Sequence, residues 1–507
     1  MRKRGWAALI GAAALAWAPG AAAAAPTPKK QPPPPPYPSE PALAPPPLHV
    51  ISNLGTSSRN GPHSAAGDIF VAPIKNYSLS EPFIGKPGPE ILEPDGTVVW
   101  QDPLGRGIKI GRSYFPEVAM DFHPDHFEGQ EVLVWWQGYI TPQGFGNGVW
   151  KIVNRHYQVV AEIHAPRGYE LDFHDLVLTP QGDAYVIGNK LVHISLRCCG
   201  GPPQSSLYDQ VVFEIEPKTG KVLWSWDPLQ HVRLKESYAQ IYGYQTWDPY
   251  HVNSISFGPA GAPIISMRNT WAAYWINRRN GAVFARLGGK HSTFKLGPGV
   301  DFAWQHDVSQ QPGERISVFD DEAAPPEGKQ SRGIVIQLDW KDHTATLVDE
   351  FTLPHPALAG SQGNVEPLPN HNWFVGWGQL PYLSEYGPSR ELLYLAALPG
   401  PDESYRAYKD PWVGEPNWPP AVVARTEKSE VVVGASWNGS TQVSAWQLLA
   451  GTSPVALAPT GPPQPKTGFE TTIKTTATGP YYAVEALGPG GQVLATSPAV
   501  EANGKAA

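Results

Sequence analysis

Residues 211–228 read VVFEIEPKTGKVLWSWDP. Apolar and polar side chains alternate through Phe213–Glu216 and again through Trp224–Trp226, and Thr219-Gly220 between them is a turn signal. A period of two on both arms describes a β-hairpin, with alternate residues on opposite faces. The same pattern recurs at 90–103, 149–163, 272–289, 333–351 and 391–412. The turns fall near 96, 155, 220, 281, 342 and 401, so the spacing stays between 59 and 65 residues. A second kind of hairpin lies between these, at 174–187, 251–269, 306–322 and 363–379. Two hairpins per period make four strands, and six such units predict an all-β fold, a six-bladed β-propeller. The rival is a stack of β-sandwiches, which even spacing over six units disfavours.

The repeat places the remaining segments. Met1-Arg2-Lys3-Arg4, an apolar run from Trp6 to Trp17 and small residues from Gly20 to Ala25 make residues 1–25 a signal peptide. The apolar run is short and is followed by Pro19, which argues against a membrane anchor. No later stretch is apolar enough to span a bilayer, so an exported, secreted protein is expected. Residues 26–47 are a proline-rich linker, semi-rigid and unable to build a core. The propeller is expected over 48–417. From about Pro419 short strands follow turn signals every ten residues or so, which suits a small fibronectin type III or Ig-like β-sandwich over 418–500. Residues 501–507 are expected to be a disordered tail. The C-terminal module offers a surface for glycan or cell-surface contact.

Composition narrows the function classes. A net charge of −8 without a basic stripe excludes a nucleic-acid partner. The chain has 507 residues but only two cysteines, the adjacent Cys198 and Cys199, so no long loop is stapled and packing must hold the fold. The pair either closes a strained ring or stays reduced. Nothing nearby supplies partners for a metal.

Residues that begin the second kind of hairpin crowd together at one mouth of a propeller's channel. They are His174 in DFHDL, His251 in DPYHVNS, His306 in FAWQHDV and Asn364 in SQGNVE. Three histidines thus recur at one phase of three consecutive units. Arg268, in IISMRNT, ends the strand pairing with the one that His251 heads. Three histidines and an arginine, with no positionally matching carboxylate cluster, suggest an anion site for sulfate or phosphate. Zinc, copper or iron would suit the histidines, but the arginine argues against a metal. Alternation turns Asp175 and Asp307 away from their neighbouring histidines, so they are expected to cap turns or bond adjacent units. Trp247, Tyr250, Trp304 and Trp377 are expected to be mostly core, with a few free to stack on an aromatic substrate.

In DFHDLVLTPQGDAYV, DPYHVNSISF, IISMRNT and FAWQHDV the chain resembles the arylsulfotransferase family, the bacterial aryl-sulfate sulfotransferases that do not need a nucleotide sulfate donor. The resemblance covers roughly residues 60–400 and implies a six-bladed propeller. It implies that His306 is the nucleophile, forming a transient sulfohistidine. His174, His251 and Arg268 would hold the sulfuryl oxygens and assist the leaving group. The implied partners are an aryl sulfate donor and a phenolic acceptor, with no cofactor and no metal. The chain looks closer to a branch lacking the N-terminal sandwich domain of the better-known periplasmic members. Two other functions compete. One is a quinoprotein-like or lactonase-like propeller enzyme, because DGTVVWQ and TGKVLWSW resemble tryptophan-bearing quinone-binding repeats. The other is a non-catalytic propeller that binds glycan or protein.

Overall fold

The computed structural model describes residues 44–53 and 63–506, apart from 77, 106, 142, 244, 245, 478 and 504. The expected signal peptide and all but the last residues of the proline-rich linker lie outside the described residues. Nearly all regular structure is β. Among the described residues six sheets of four or five strands occupy the first four-fifths of the chain, antiparallel except where Lys295–Leu296 runs parallel to Thr344–Phe351, and their innermost strands are β1 (Val118–Phe127), β2 (Glu170–Leu178), β3 (Val252–Phe257), β4 (His306–Gln311), β5 (Asn364–Pro367) and β6 (Glu403–Asp410). Each inner strand contacts the next, and β6 returns to contact β1.

Sequence alternation holds the ring together. In the strand Asp68–Ile74, Ile69 and Val71 pack with Phe374, Leu383 and Tyr394 of the β5 sheet. Phe70 and Ala72 turn the other way, onto Ala119, Leu133 and Trp135 of the β1 sheet. The same sharing recurs around the ring, for example Trp136 with Phe173 and Phe319 with Trp377. Each fully buried Val, Leu, Ile or Phe contributes roughly 1.5–3 kcal/mol. Two cysteines therefore suffice because the sheets are fastened face to face.

One expected hairpin does not form. The strands in 391–412 belong to different sheets. Leu392–Ala397 has both edges filled, by Tyr382–Tyr386 and by the N-terminal strand His49–Asn53. Glu403–Asp410 crosses a turn containing Gly400 (φ 58°) and pairs with the open edge of Asp68–Ile74. The strand read as an outer arm is thus the innermost strand β6, and it joins chain segments more than 300 residues apart.

Beyond residue 420 two further sheets share one core. Ala424, Val433 and Ile473 of one pack with Trp446, Leu448, Tyr482 and Val484 of the other. This unit docks on the outer strand Val98–Gln101. Asn438 exchanges two hydrogen bonds with the Gln101 backbone (3.0 and 2.9 Å), and the Tyr157 hydroxyl donates to the Gly439 carbonyl at 2.6 Å. Among the described residues no helix is long and apolar enough to cross a membrane.

Candidate active site

His306 is the first residue of β4, His174 lies within β2, and His251 directly precedes β3. The backbone puts them at one level. His251 takes a left-handed φ of 54°, and pairing in β2 is interrupted between Leu171 and Leu176. These irregularities aim side chains out of the regular pleat. The His174 and His251 rings meet edge to face, with centroids 4.7 Å apart. Tyr405 of β6 packs edge-on against both His174 (5.8 Å) and His306 (6.3 Å), and its hydroxyl donates to the His174 carbonyl at 3.0 Å. Phe145 closes the other side of His174 and His251. Asn364, at the matching place of β5, is a buried strand-to-strand link: it exchanges hydrogen bonds with the Ala407 backbone.

The expectation of histidines without matching carboxylates fails. Every one of the three has its Nδ1 on an aspartate: His174 on Asp172 at 2.6 Å, His251 on Asp248 at 2.5 Å, and His306 on Asp321 at 2.8 Å. The carboxylates sit two residues before, three before and fifteen after their histidines, so no common spacing marks them. His306 and Asp321 are both buried.

The tautomer of His306 follows from its second partner. The Gln362 amide N–H points at His306 Nε2 at 3.3 Å, and an N–H only donates. Burial first, then the Arg268 charge and the neighbouring histidines and Arg406, hold His306 well below the ordinary 6.5. A neutral ring with a lone pair on Nε2 must carry its proton on Nδ1, which donates to Asp321. Burial raises the Asp321 carboxyl well above its usual range, while the Arg268 charge opposes this and favours the carboxylate. His251 is also lowered, chiefly by burial, with Asp248 opposing.

Arg268 follows the strand paired with β3, and its amide donates to the His251 carbonyl at 2.9 Å. Its guanidinium lies 4.9 Å over the Trp304 ring and donates to the carbonyls of Gly360 (3.1 Å) and Ala323 (3.4 Å), while Nε has no partner among the described groups. Beside it opens a cavity of about 340 Å³ walled by Tyr238, Trp247, Asp248, Trp271 and Trp304, with Tyr238 and Trp271 stacked at 3.7 Å. Trp247 and Trp304 thus border open space, whereas Tyr250 and Trp377 are core.

Asp175 and Asp307 do bond adjacent sheets, accepting from the Ile255 and Val365 amides. Together with Asp121 they also surround the buried Arg406 of β6, at 2.9 to 3.9 Å. Tyr405 and Arg406 escaped the sequence reading because β6 was placed on the wrong side of its sheet. Among the described residues no group of histidine, cysteine or carboxylate side chains is arranged to hold a metal.

A family model described as arylsulfotransferase (ASST) matches residues 123–394. Among curated proteins none matches the chain. Among solved structures, a protein of unknown function from Bacteroides caccae is 11% identical with a TM-score of 0.40, covering 68% of this chain and 99% of that one. A virginiamycin B lyase from Staphylococcus aureus is 10% identical with a TM-score of 0.30, covering 76% and 94%. Likenesses of that size decide nothing about this chain.

Proposed function

The chain belongs to the arylsulfotransferase (ASST) family, and from that premise we propose that it moves a sulfuryl group from an aryl sulfate to a phenolic acceptor in two steps through His306. The observation that carries this reading is the state of His306: a buried, neutral imidazole with its Nδ1 proton on Asp321 and its lone pair on Nε2.

In the first step the Nε2 lone pair forms a bond to sulfur while the bond from sulfur to the aryl oxygen breaks, and the aryl oxide leaves with that electron pair. The ring becomes cationic, and Asp321 stabilises the charge through Nδ1–H. Arg268, with His174 and His251, faces the sulfuryl oxygens and the leaving group, where preorganised donors matter most. In the second step a phenol oxygen attacks sulfur, the bond between sulfur and nitrogen breaks, and its electrons return to Nε2. The phenolic proton passes to a ring base, for which His251, kept neutral by burial, is suited. The Gln362 amide must yield Nε2 to sulfur in the first step. The cavity walled by Tyr238, Trp271 and Trp304 offers faces for the aryl group.

The fold reading that accompanies this is a six-bladed β-propeller over 48–417, supported by six sheets whose inner strands close on themselves. A fibronectin type III-like sandwich over 418–500 is supported by two sheets with one shared core. The N-terminal segment 1–25 supports export from the cell, to a secreted location. The test is p-nitrophenyl sulfate with phenol as acceptor. Wild type should release nitrophenol and His306→Ala should not. Equal behaviour of the two overturns the proposal.

A further inference from the structure

Cys198 and Cys199 take no part in this chemistry, yet their place in the fold is unusual. The sulfurs lie 2.7 Å apart. Both cysteines sit in one tight turn, Arg197–Cys199, which ends on Gly200 at φ 84°. The turn is closed by hydrogen bonds from the Cys199 and Gly201 amides to the Leu196 carbonyl, both 2.9 Å. Cys198 is exposed and Cys199 half-buried.

The turn caps the long hairpin Ala184–Ile194 and Ser205–Glu216. The stem beside it is stitched to the rim of the active site. Leu207 bridges to Trp247, the Trp247 amide donates to the Ser206 carbonyl at 2.9 Å, and the Tyr208 amide donates to the Trp247 carbonyl at 2.8 Å. Leu196, Leu207 and Trp247 form a small core against which Cys199 packs. Residue 248 is the aspartate that holds His251. The turn is thus linked to the site through one packed cluster and one peptide bond.

We propose that Cys198 and Cys199 are a reversible vicinal redox pair whose state is read at the His251 side of the active site. The oxidant is a low-molecular-weight disulfide. The exposed Cys198 thiolate attacks one of its sulfurs, giving a mixed disulfide and releasing one thiol. Cys199, after giving its proton to solvent, attacks Cys198 Sγ and expels the second thiol. Two protein thiols are thereby oxidised to one disulfide, and the small disulfide is reduced to two thiols. Burial and the neighbouring sulfur raise the Cys199 thiol to about 11, which suits it to the second step rather than the first.

The experiment treats the full chain with glutathione disulfide or with dithiothreitol, then with iodoacetamide. The oxidised protein should lose the mass of two hydrogens and take no label, and the reduced protein should take two labels. Cys198→Ser should give no internal disulfide. Hydrogen exchange over residues 238–248 should differ between the two states of wild type and not in Cys198→Ser. This readout stands whether or not sulfuryl transfer is found. Where transfer is measured, KM or kcat should differ about threefold or more between the states. Two labels after oxidation overturn the pairing. A disulfide that leaves both exchange and kinetics unmoved, or a change that persists in Cys198→Ser, overturns the coupling.

Discussion

Asp321→Asn isolates the charge behind the nucleophile. Asn is nearly isosteric, and its carbonyl oxygen can still accept from His306 Nδ1, but the negative charge is gone. When Nε2 bonds sulfur the ring turns cationic, with the carboxylate 2.8 Å from Nδ1. At an effective dielectric of about 20, opposite unit charges at that distance attract by about 6 kcal/mol. A neutral hydrogen bond keeps roughly half of what a charge-assisted one gives, so about 3 kcal/mol is lost. At 1.36 kcal/mol per decade this is on the order of a hundredfold in the sulfuryl-transfer rate. The assay is a burst or single-turnover measurement of nitrophenol release from p-nitrophenyl sulfate, with melting temperature measured alongside. A variant that melts like wild type and reacts within about threefold of it would refute the reasoning, because the carboxylate would then carry no transition-state charge.

Three further outcomes follow from the same geometry. His306 is lowered well below 6.5, so the acid limb of kcat/KM should lie below that value. Arg406→Met leaves Asp121, Asp175 and Asp307 without their shared cation. Removing one partner of a buried ionic cluster costs about 3–5 kcal/mol, so the denaturation midpoint should fall sharply. A Cβ at Gly439 would come 2.5 Å from the Tyr157 ring at a φ of 95°, so Gly439→Ala should loosen the C-terminal unit. Proteolysis near residue 415 should quicken while nitrophenol release stays within about twofold.

What could be read from the chain was whatever is local. Alternation with a turn signal, as in Val211–Pro228, is settled within one hairpin, and the phase shared by His174, His251 and His306 follows from the repeat. The place of Glu403–Asp410 was not local. It depends on which edge is open once His49–Asn53 has covered Leu392–Ala397. Tyr405 and Arg406 were lost with it. The carboxylates behind the histidines were hidden for another reason. Asp172 and Asp248 stand just upstream of their histidines in DFHDL and DPYH, but Asp321 reaches His306 only because the strand that ends beside it, Arg315–Asp320, folds back on β4.

The central claim is that His306 becomes sulfated. The direct measurement is rapid quench of wild type with p-nitrophenyl sulfate and no acceptor, followed by alkaline digestion and mass spectrometry of the peptide containing residues 302–308. The account predicts one added SO₃ on His306, lost when phenol is supplied before the quench and never formed in His306→Ala. Nitrophenol release with an unmodified His306, or with the label on His174 or His251, would contradict it.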